Sequence, residues 1–357
     1  MNRRRQAVVH ATIALALVLP ALHATASNAA PQRAESVTSG ASATKTAQRL
    51  HMRLPASQGG RPFAANSPWN TPTPTGTKWF DSGLLHQNTT PMNGDSMLHW
   101  WVNTGSVGVY YAADTDPFWT FDMPELNAAA WHRVRAAQTF SVRAPADLMD
   151  GGDSDHVLVL VSGDTYYEVW NAQVDPAARR VSTRAGGANW AVDSISSGQG
   201  AGTLANNDGT RASNFSWAGG LITGDDLKNG SIDHALVLAL TAPLLKAGSN
   251  PDYVHPATAW DNGGSFGPIK MGSRIGIPAG TPRPAGLSTV GNMVFDALQK
   301  YGSFVGDFCG GAWPMFYADK NTVIDAQMQP LYAFWQYGGS ADMEKIQPLL
   351  RVANYQP

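Results

Sequence analysis

Charge is scarce in this chain. Asp, Glu, Lys and Arg make up 15% of it, against roughly 25% in an average soluble protein. The formal balance of -2 gives nucleic acid or an anionic membrane no electrostatic reason to bind. Cysteine is nearly missing: Cys309 stands alone, so no disulfide framework staples the fold. It reads as a small buried hydrophobe rather than a reactive thiol. The sequence contains no H-E-x-x-H, no Walker loop and no dinucleotide fingerprint, and no serine nucleophile can be named. Long apolar runs are lacking beyond the first residues, so no segment of the remainder is expected to cross a membrane.

What replaces charge is Gly 36, Pro 23 and 10% aromatic residues, including Trp 12, the composition of a turn-rich β protein with aromatic surfaces. Residues 1–26 are expected to be a secretory signal: Arg3, Arg4 and Arg5 form the charged start, Ala11 to Leu22 the apolar run, and Ala24-Thr25-Ala26 the cleavage pattern. Arg4-Arg5-Gln6 also loosely fits the twin-arginine route. Residues 27–60 are rich in Ala, Ser, Thr and Gln without apolar period and read as a linker. The product is then secreted or periplasmic, and residues 61–357 are left for one folded domain.

The most informative stretch is Asp150 to Trp170, DGGDSDHVLVLVSGDTYYEVW. His156 to Val161 is a strand apolar on both alternating sets, Ser162 to Thr165 a turn, and Tyr166 to Trp170 the returning strand of a hairpin. A second strand of the same kind follows Asp233-His234 in SIDHALVLALT. Both strands belong in the middle of packed sheets. If they are neighbours in aligned register, His156 and His234 lie side by side. In the simplest hairpin register Ser162 opposes Thr165 and Val159 opposes Glu168, which puts Glu168 on the Val157/Val159 face, away from His156. The carboxylates preferred beside the imidazoles are therefore Asp153, Asp155, Asp233 and Asp307.

Elsewhere the chain reads as short strands between turns. Gly108 to Tyr111, Gln138 to Arg143, Arg274 to Ile277 and Ser303 to Asp307 are strand-like, and Asp175 to Gly202 reads as a loop-rich excursion. Asp114, Asp116 and Asp122 resemble a calcium loop only superficially, lacking the glycine and terminal Glu of an EF-hand. Asp225-Asp226-Leu227 opens one helical turn before Gly230. A clear helix is expected near residues 290–301, capped by Ser288 or Thr289, striped by Val290, Met293, Val294, Ala297 and Leu298, and stopped at Gly302. The fold class is mainly β, a single β-sandwich-like domain with that one clear helix.

Gly230 to Leu236 (GSIDHAL), Lys270 to Ile275 (KMGSRI) and Ala297 to Asp307 (ALQKYGSFVGD) resemble, in kind and order, a group of secreted bacterial proteins, some of which carry carbohydrate-binding modules. The resemblance covers most of Ser67 to Gly311. It implies weight on His156, Glu168, His234, Arg274 and Asp307 and supplies no mechanism. After Asp307 the chain departs from it, with Phe308-Cys309 where the group has Asn-Gly.

The functional expectation is a secreted carbohydrate-active enzyme acting on a polysaccharide or other extracellular glycan. His156, His234, Asp155, Asp233 and Asp307 would form its reactive centre, and Trp170, Arg211, Trp217, His255 and Trp260 would meet the sugar. Hydrolysis is the first form, through two carboxylates facing across a cleft. A lyase, with Arg211 neutralising a uronate, is its variant. The cofactor is left open, a divalent metal being the one such imidazoles would take. The alternative is a non-catalytic glycan- or surface-binding β-sandwich whose histidines are structural. For either histidine taken singly, a backbone carbonyl satisfying the ring is the commoner outcome.

Overall fold

Strands form where β-branched and aromatic residues alternate between turn residues, and helices only where a cap and an apolar stripe coincide. The computed structural model describes residues 61–354, apart from 82, 93–94, 98–100, 104–106, 127–134, 153–154, 186, 188, 202–208, 247–251, 262–266, 311–312, 323–330 and 332–340. The expected signal, linker and Asp153 thus lie outside the described residues. In chain order the strands are β1 (Trp79–Phe80), β2 (Gln87–Met92), β3 (Asp95–Met97), β4 (Trp101–Asn103), β5 (Val109–Tyr111) and β6 (Phe118–Met123). There follow β7 (Gln138–Arg143), β8 (Leu158–Ser162), β9 (Thr165–Trp170), β10 (Ala172–Asp175), β11 (Arg180–Thr183) and β12 (Asn189–Ser194). The last are β13 (Leu236–Thr241), β14 (Arg274–Gly276), β15 (Ser303–Cys309), β16 (Met315–Tyr317) and β17 (Arg351–Ala353), with helices α1 (Gly224–Asn229), α2 (Thr289–Lys300) and α3 (Met343–Ile346).

The architecture is mainly β and sandwich-like. A seven-stranded sheet has the order β1-β17-β14-β15-β13-β16-β4, and two four-stranded sheets have the orders β12-β9-β8-β5 and β10-β11-β6-β7. The sheet holding β8 is the middle layer, because alternate residues of β8 enter two different cores. Val159 and Val161 pack with the seven-stranded sheet's Val237, Phe304 and Phe316. Leu158 and Leu160 pack with Trp119, Phe121 and Val142 of the outer sheet. A strand buried on both faces must be apolar on both sets, which is how its sequence reads.

The hairpin register is the expected one: Ser162 pairs with Thr165 and Val159 with Glu168. Helix α2 also stands where its caps put it, with the Ser288 side chain accepting the Gly291 N–H and Gly302 following at φ 70°. Helix α1 ends on Gly230 and is capped reciprocally by Thr223 and Asp226.

Two expectations fail. Asp175 to Gly202 is not a loop excursion, since β11 pairs with β10 and β12 pairs with β9 along its whole length. The turn between β10 and β11 is made by the Asp175 carboxylate accepting the Ala178 N–H and by Arg179 at φ 48°, a conformation that sequence alone does not assign to arginine. The two Asp-His strands are also not neighbours: β8 lies in the middle sheet and β13 in the seven-stranded one.

One irregularity positions the site. β13 and β15 run parallel with Leu238 beside Val305, and then Ala239 beside Asp307, so Gly306 is an extra residue. A bulge of this kind re-aims the side chain that follows it. Asp307 is brought to the side of Phe304, whose ring meets Trp69 and Phe215. A Cβ on Gly306 would stand 2.7 Å from Val237 Cγ2 and 3.1 Å from Phe215 Cδ2. Gly306→Ala is therefore expected to lower stability by about 1–3 kcal/mol, read as a fall in the urea midpoint. An unchanged midpoint would mean that the bulge is not tightly enclosed.

Candidate functional site

The site is built on a loop that has no business being buried except for one carboxylate. From Gly209 to Ile222 every residue is buried, and a buried loop carries backbone groups that neither strand nor water can satisfy. Glu168 projects from β9 toward this loop and is itself fully buried. Its carboxylate accepts the Thr210 N–H at 3.1 Å, the Ala218 N–H at 3.4 Å and the Ser216 hydroxyl. On the other side the loop is tied to the seven-stranded sheet, Ser213 N–H donating to the Gly306 carbonyl at 3.2 Å and Val237 N–H to the Gly220 carbonyl at 3.0 Å. Its small residues allow this: a Cβ on Gly209 would collide with the Phe215 carbonyl at 2.0 Å.

Clamped this way, the loop delivers Arg211 into the core with no exposed surface. Its guanidinium lies 3.8 Å over the Trp217 ring and 4.5 Å from the Tyr317 ring, a cation–π corner in a desolvated setting. Nη1 donates to Asp307 Oδ2 at 3.4 Å. Asp307 reaches the surface from here, its side chain 15% exposed.

Burial pushes the Asp307 carboxyl from 3.8 up to about 7, with Asp155 and Asp261 reinforcing the shift and Arg211 and the Phe308 N–H opposing it. Three carboxylates from separate segments therefore share one electrostatic neighbourhood: Asp307 at the end of β15, Asp155 before β8, and Asp261 in the loop before β14. Burial likewise raises Glu168 to about 7, against its three donors and Arg211. Tyr317 is held well above its ordinary value by burial and by Asp307.

Aromatic residues flank the acids. Trp170, half-buried, donates its indole N–H to Asp155 Oδ1 at 3.3 Å, which fixes that carboxylate at the ring's edge. Trp260, also half-buried, stacks on Tyr253 with ring centroids 5.8 Å apart, next to Asp261. His255 is exposed on the same loop, preceding a cis Pro256.

The strands that follow His156 and His234 lie in different sheets. Asp307 lies beside Ala239 within β13, whereas His234 precedes that strand's first residue, Leu236. Asp155 and His156 belong to the Asp307 end, so His234 stands at the opposite end of the sheet. His234 is 4% exposed and both ring nitrogens are engaged, Nδ1 with the Ala235 carbonyl at 2.9 Å and Nε2 with Asp226 at 3.3 Å. Burial lowers its pKa, but Asp226 and the Ala235 carbonyl together raise it further. The ring ties α1 to the start of β13.

Asp233 goes with it to that end, pairing with Lys300 at 3.3 Å on the surface. His156 is half-buried at φ 45° with Nδ1 3.5 Å from Asp150, where it shapes the turn that carries Asp155. Trp217, expected to face sugar, is 3% exposed beneath Arg211 and cannot present a ring to solvent. Arg274 serves the fold, donating to the Tyr301 carbonyl at the end of α2 and lying 4.4 Å over the Phe304 ring.

Of the expected residues, the structure gathers Asp155, Asp307, Arg211, Trp170 and Trp260, and leaves out His234, Asp233 and the face of Trp217. Sequence reasoning missed Tyr317, Tyr253 and Asp261; Asp261 follows Trp260 in a Gly-rich segment, the one pattern that pointed to it. Among the described residues no group of three His, Cys, Asp or Glu side chains is placed to hold a metal ion, and no helix is long and apolar enough to cross a membrane. No protein family matches the chain, and comparison with curated proteins and with solved structures returns no match.

The raised Glu168 pKa has a consequence for stability. A carboxyl that holds its proton in the folded state up to about 7 contributes stability fully present below the unfolded value near 4.5 and lost as pH rises through 7. Across that window the slope is up to about 1.4 kcal/mol per pH unit. Glu168→Gln is expected to be less stable than the parent by about 1–3 kcal/mol at low pH. The gap should narrow between pH 5 and 7, followed by urea denaturation at each pH. A gap that widens with pH would contradict a buried, proton-holding Glu168.

Proposed function

We propose that this is an exported carbohydrate-active enzyme that hydrolyses a polysaccharide through carboxylates. The observation that carries this reading is the electrostatic neighbourhood that Asp155 and Asp261 share with Asp307, whose carboxyl burial pushes up to about 7. Glycoside hydrolysis needs one carboxylic acid that still holds a proton near neutrality and a second carboxylate across from it. Asp307 suits the acid, giving its proton to the glycosidic oxygen as the bond to the leaving sugar breaks.

Asp155 suits the second carboxylate, either attacking the anomeric carbon or activating the water that does so. Trp170, bonded to it, and Trp260 offer half-buried ring faces that suit a sugar platform. Positioning falls to Arg211, which holds Asp307 from below through Nη1. The leader-like residues 1–26, the low charge and the abundance of Trp are compatible with work on an extracellular polymer.

A second reading, a secreted glycan binder without catalysis, has a specific observation in its favour: His234 is sealed and engaged by a carbonyl, as a structural histidine is. Assay of the mature protein against a polysaccharide panel separates the two. For the enzyme, Asp307→Asn and Asp155→Asn are expected to lower kcat by about 10²–10⁴ with glycan binding retained. Trp260→Ala should act mainly on KM, and turnover should decline above about pH 7 as the acid loses its proton. Glycan binding without release of sugar, lost in Trp260→Ala and indifferent to Asp307→Asn, would establish the binder.

A further inference from the structure

The fate of Arg211's charge goes beyond that reading and does not depend on it. A fully buried guanidinium carries five N–H donors, and a desolvated cation is costly unless it is paired and hydrogen-bonded. Here Nη1 alone is engaged, at 3.4 Å with Asp307. The Nε and Nη2 atoms have no hydrogen-bond partner among the described residues, and neither do the buried Trp217 Nε1 and Thr210 Oγ1.

Glu168 does not fill the gap. Its oxygens are committed to Thr210, Ser216 and Ala218. The described salt bridges pair Arg211 with Asp307 alone. The guanidinium sits in the corner of two rings standing at 89° to each other, so its packing contacts are aromatic and add no acceptor. In arginine Nε–H and one Nη2–H point the same way, forming the flat two-donor edge that takes the two oxygens of a carboxylate or a single compact anion. The indole N–H of the ring beneath it and the hydroxyl of the preceding residue add donors from the same eight-residue loop.

We propose that the Nε/Nη2 edge of Arg211, with Trp217 Nε1 and Thr210 Oγ1, is a buried binding site for a compact monovalent anion. Complete burial and a single positive charge select small size and a single negative charge. Chloride and its heavier analogue bromide have this chemistry. An anion there offsets the desolvated cation and weakens Arg211's pull on Asp307, so occupancy also helps Asp307 keep its proton.

The test uses the mature chain without any activity assay. Thermal unfolding is followed at constant ionic strength while sodium isethionate, whose bulky anion serves as the reference, is replaced by sodium bromide. Crystals soaked in bromide are examined for anomalous scattering. The expected result is a saturable rise in Tm of roughly 2–4 °C, with bromide at the Arg211 edge. Thr210→Val, nearly isosteric, is expected to raise the half-saturating concentration about fivefold. Curves identical in both salts, with no bromide at Arg211, would overturn the proposal.

Discussion

The carboxylate of Glu168 is the contact on which the rest of this structure depends. Two sheets that packed only through apolar side chains would leave no place for an irregular segment between them. Residues 209–222 occupy that place because one buried acid takes two backbone N–H groups and a hydroxyl from them. Each such donor, left unsatisfied in the interior, would cost about 1–3 kcal/mol. Removing the acceptor therefore undermines the loop as a unit, and with it the placement of Arg211. Glu168 is best understood as the anchor of the site rather than a member that meets substrate.

The second constraint is the bulge at Gly306. A regular strand would turn Asp307 away from Arg211; the extra residue turns it toward the loop and the rim. Desolvation from below, and Asp155 and Asp261 from the side, then outweigh the attraction of the buried cation. Burial is thus what pushes the Asp307 carboxyl up to about 7, and the neighbouring carboxylates add to it against the pull of one guanidinium. Trp170 and Trp260 complete a surface whose chemistry is acidic and aromatic.

Much of the frame was legible in the sequence because local rules governed it. The double apolar set of β8 announced a strand covered on both faces, the 162–165 turn fixed the register that put Glu168 opposite Val159, and the Ser288 cap and Gly302 stop bounded α2. Residues whose role depends on distant partners were not legible. Asp-His before each strand looked like a repeated device, yet the two strands belong to different sheets, and their shared dipeptide does different work: His234 bonds α1, while Asp155 points to the acid cluster. Arg211 and Trp217 were singled out, but nothing local could show that they would be buried together, because that requires Glu168 from β9 and the bulge in β15. Tyr317 went unnoticed for the same reason.

The central claim is that burial between these sheets leaves Asp307 holding a proton near neutrality. Carbon-13 labelling of the Asp side-chain carboxyls, with the Asp307 resonance assigned by its loss in Asp307→Asn, allows its titration to be followed directly by NMR from pH 3 to 9. A midpoint near 7 is predicted. A midpoint near 3.8 would show that Asp307 is an ordinary solvated carboxylate and would contradict the account.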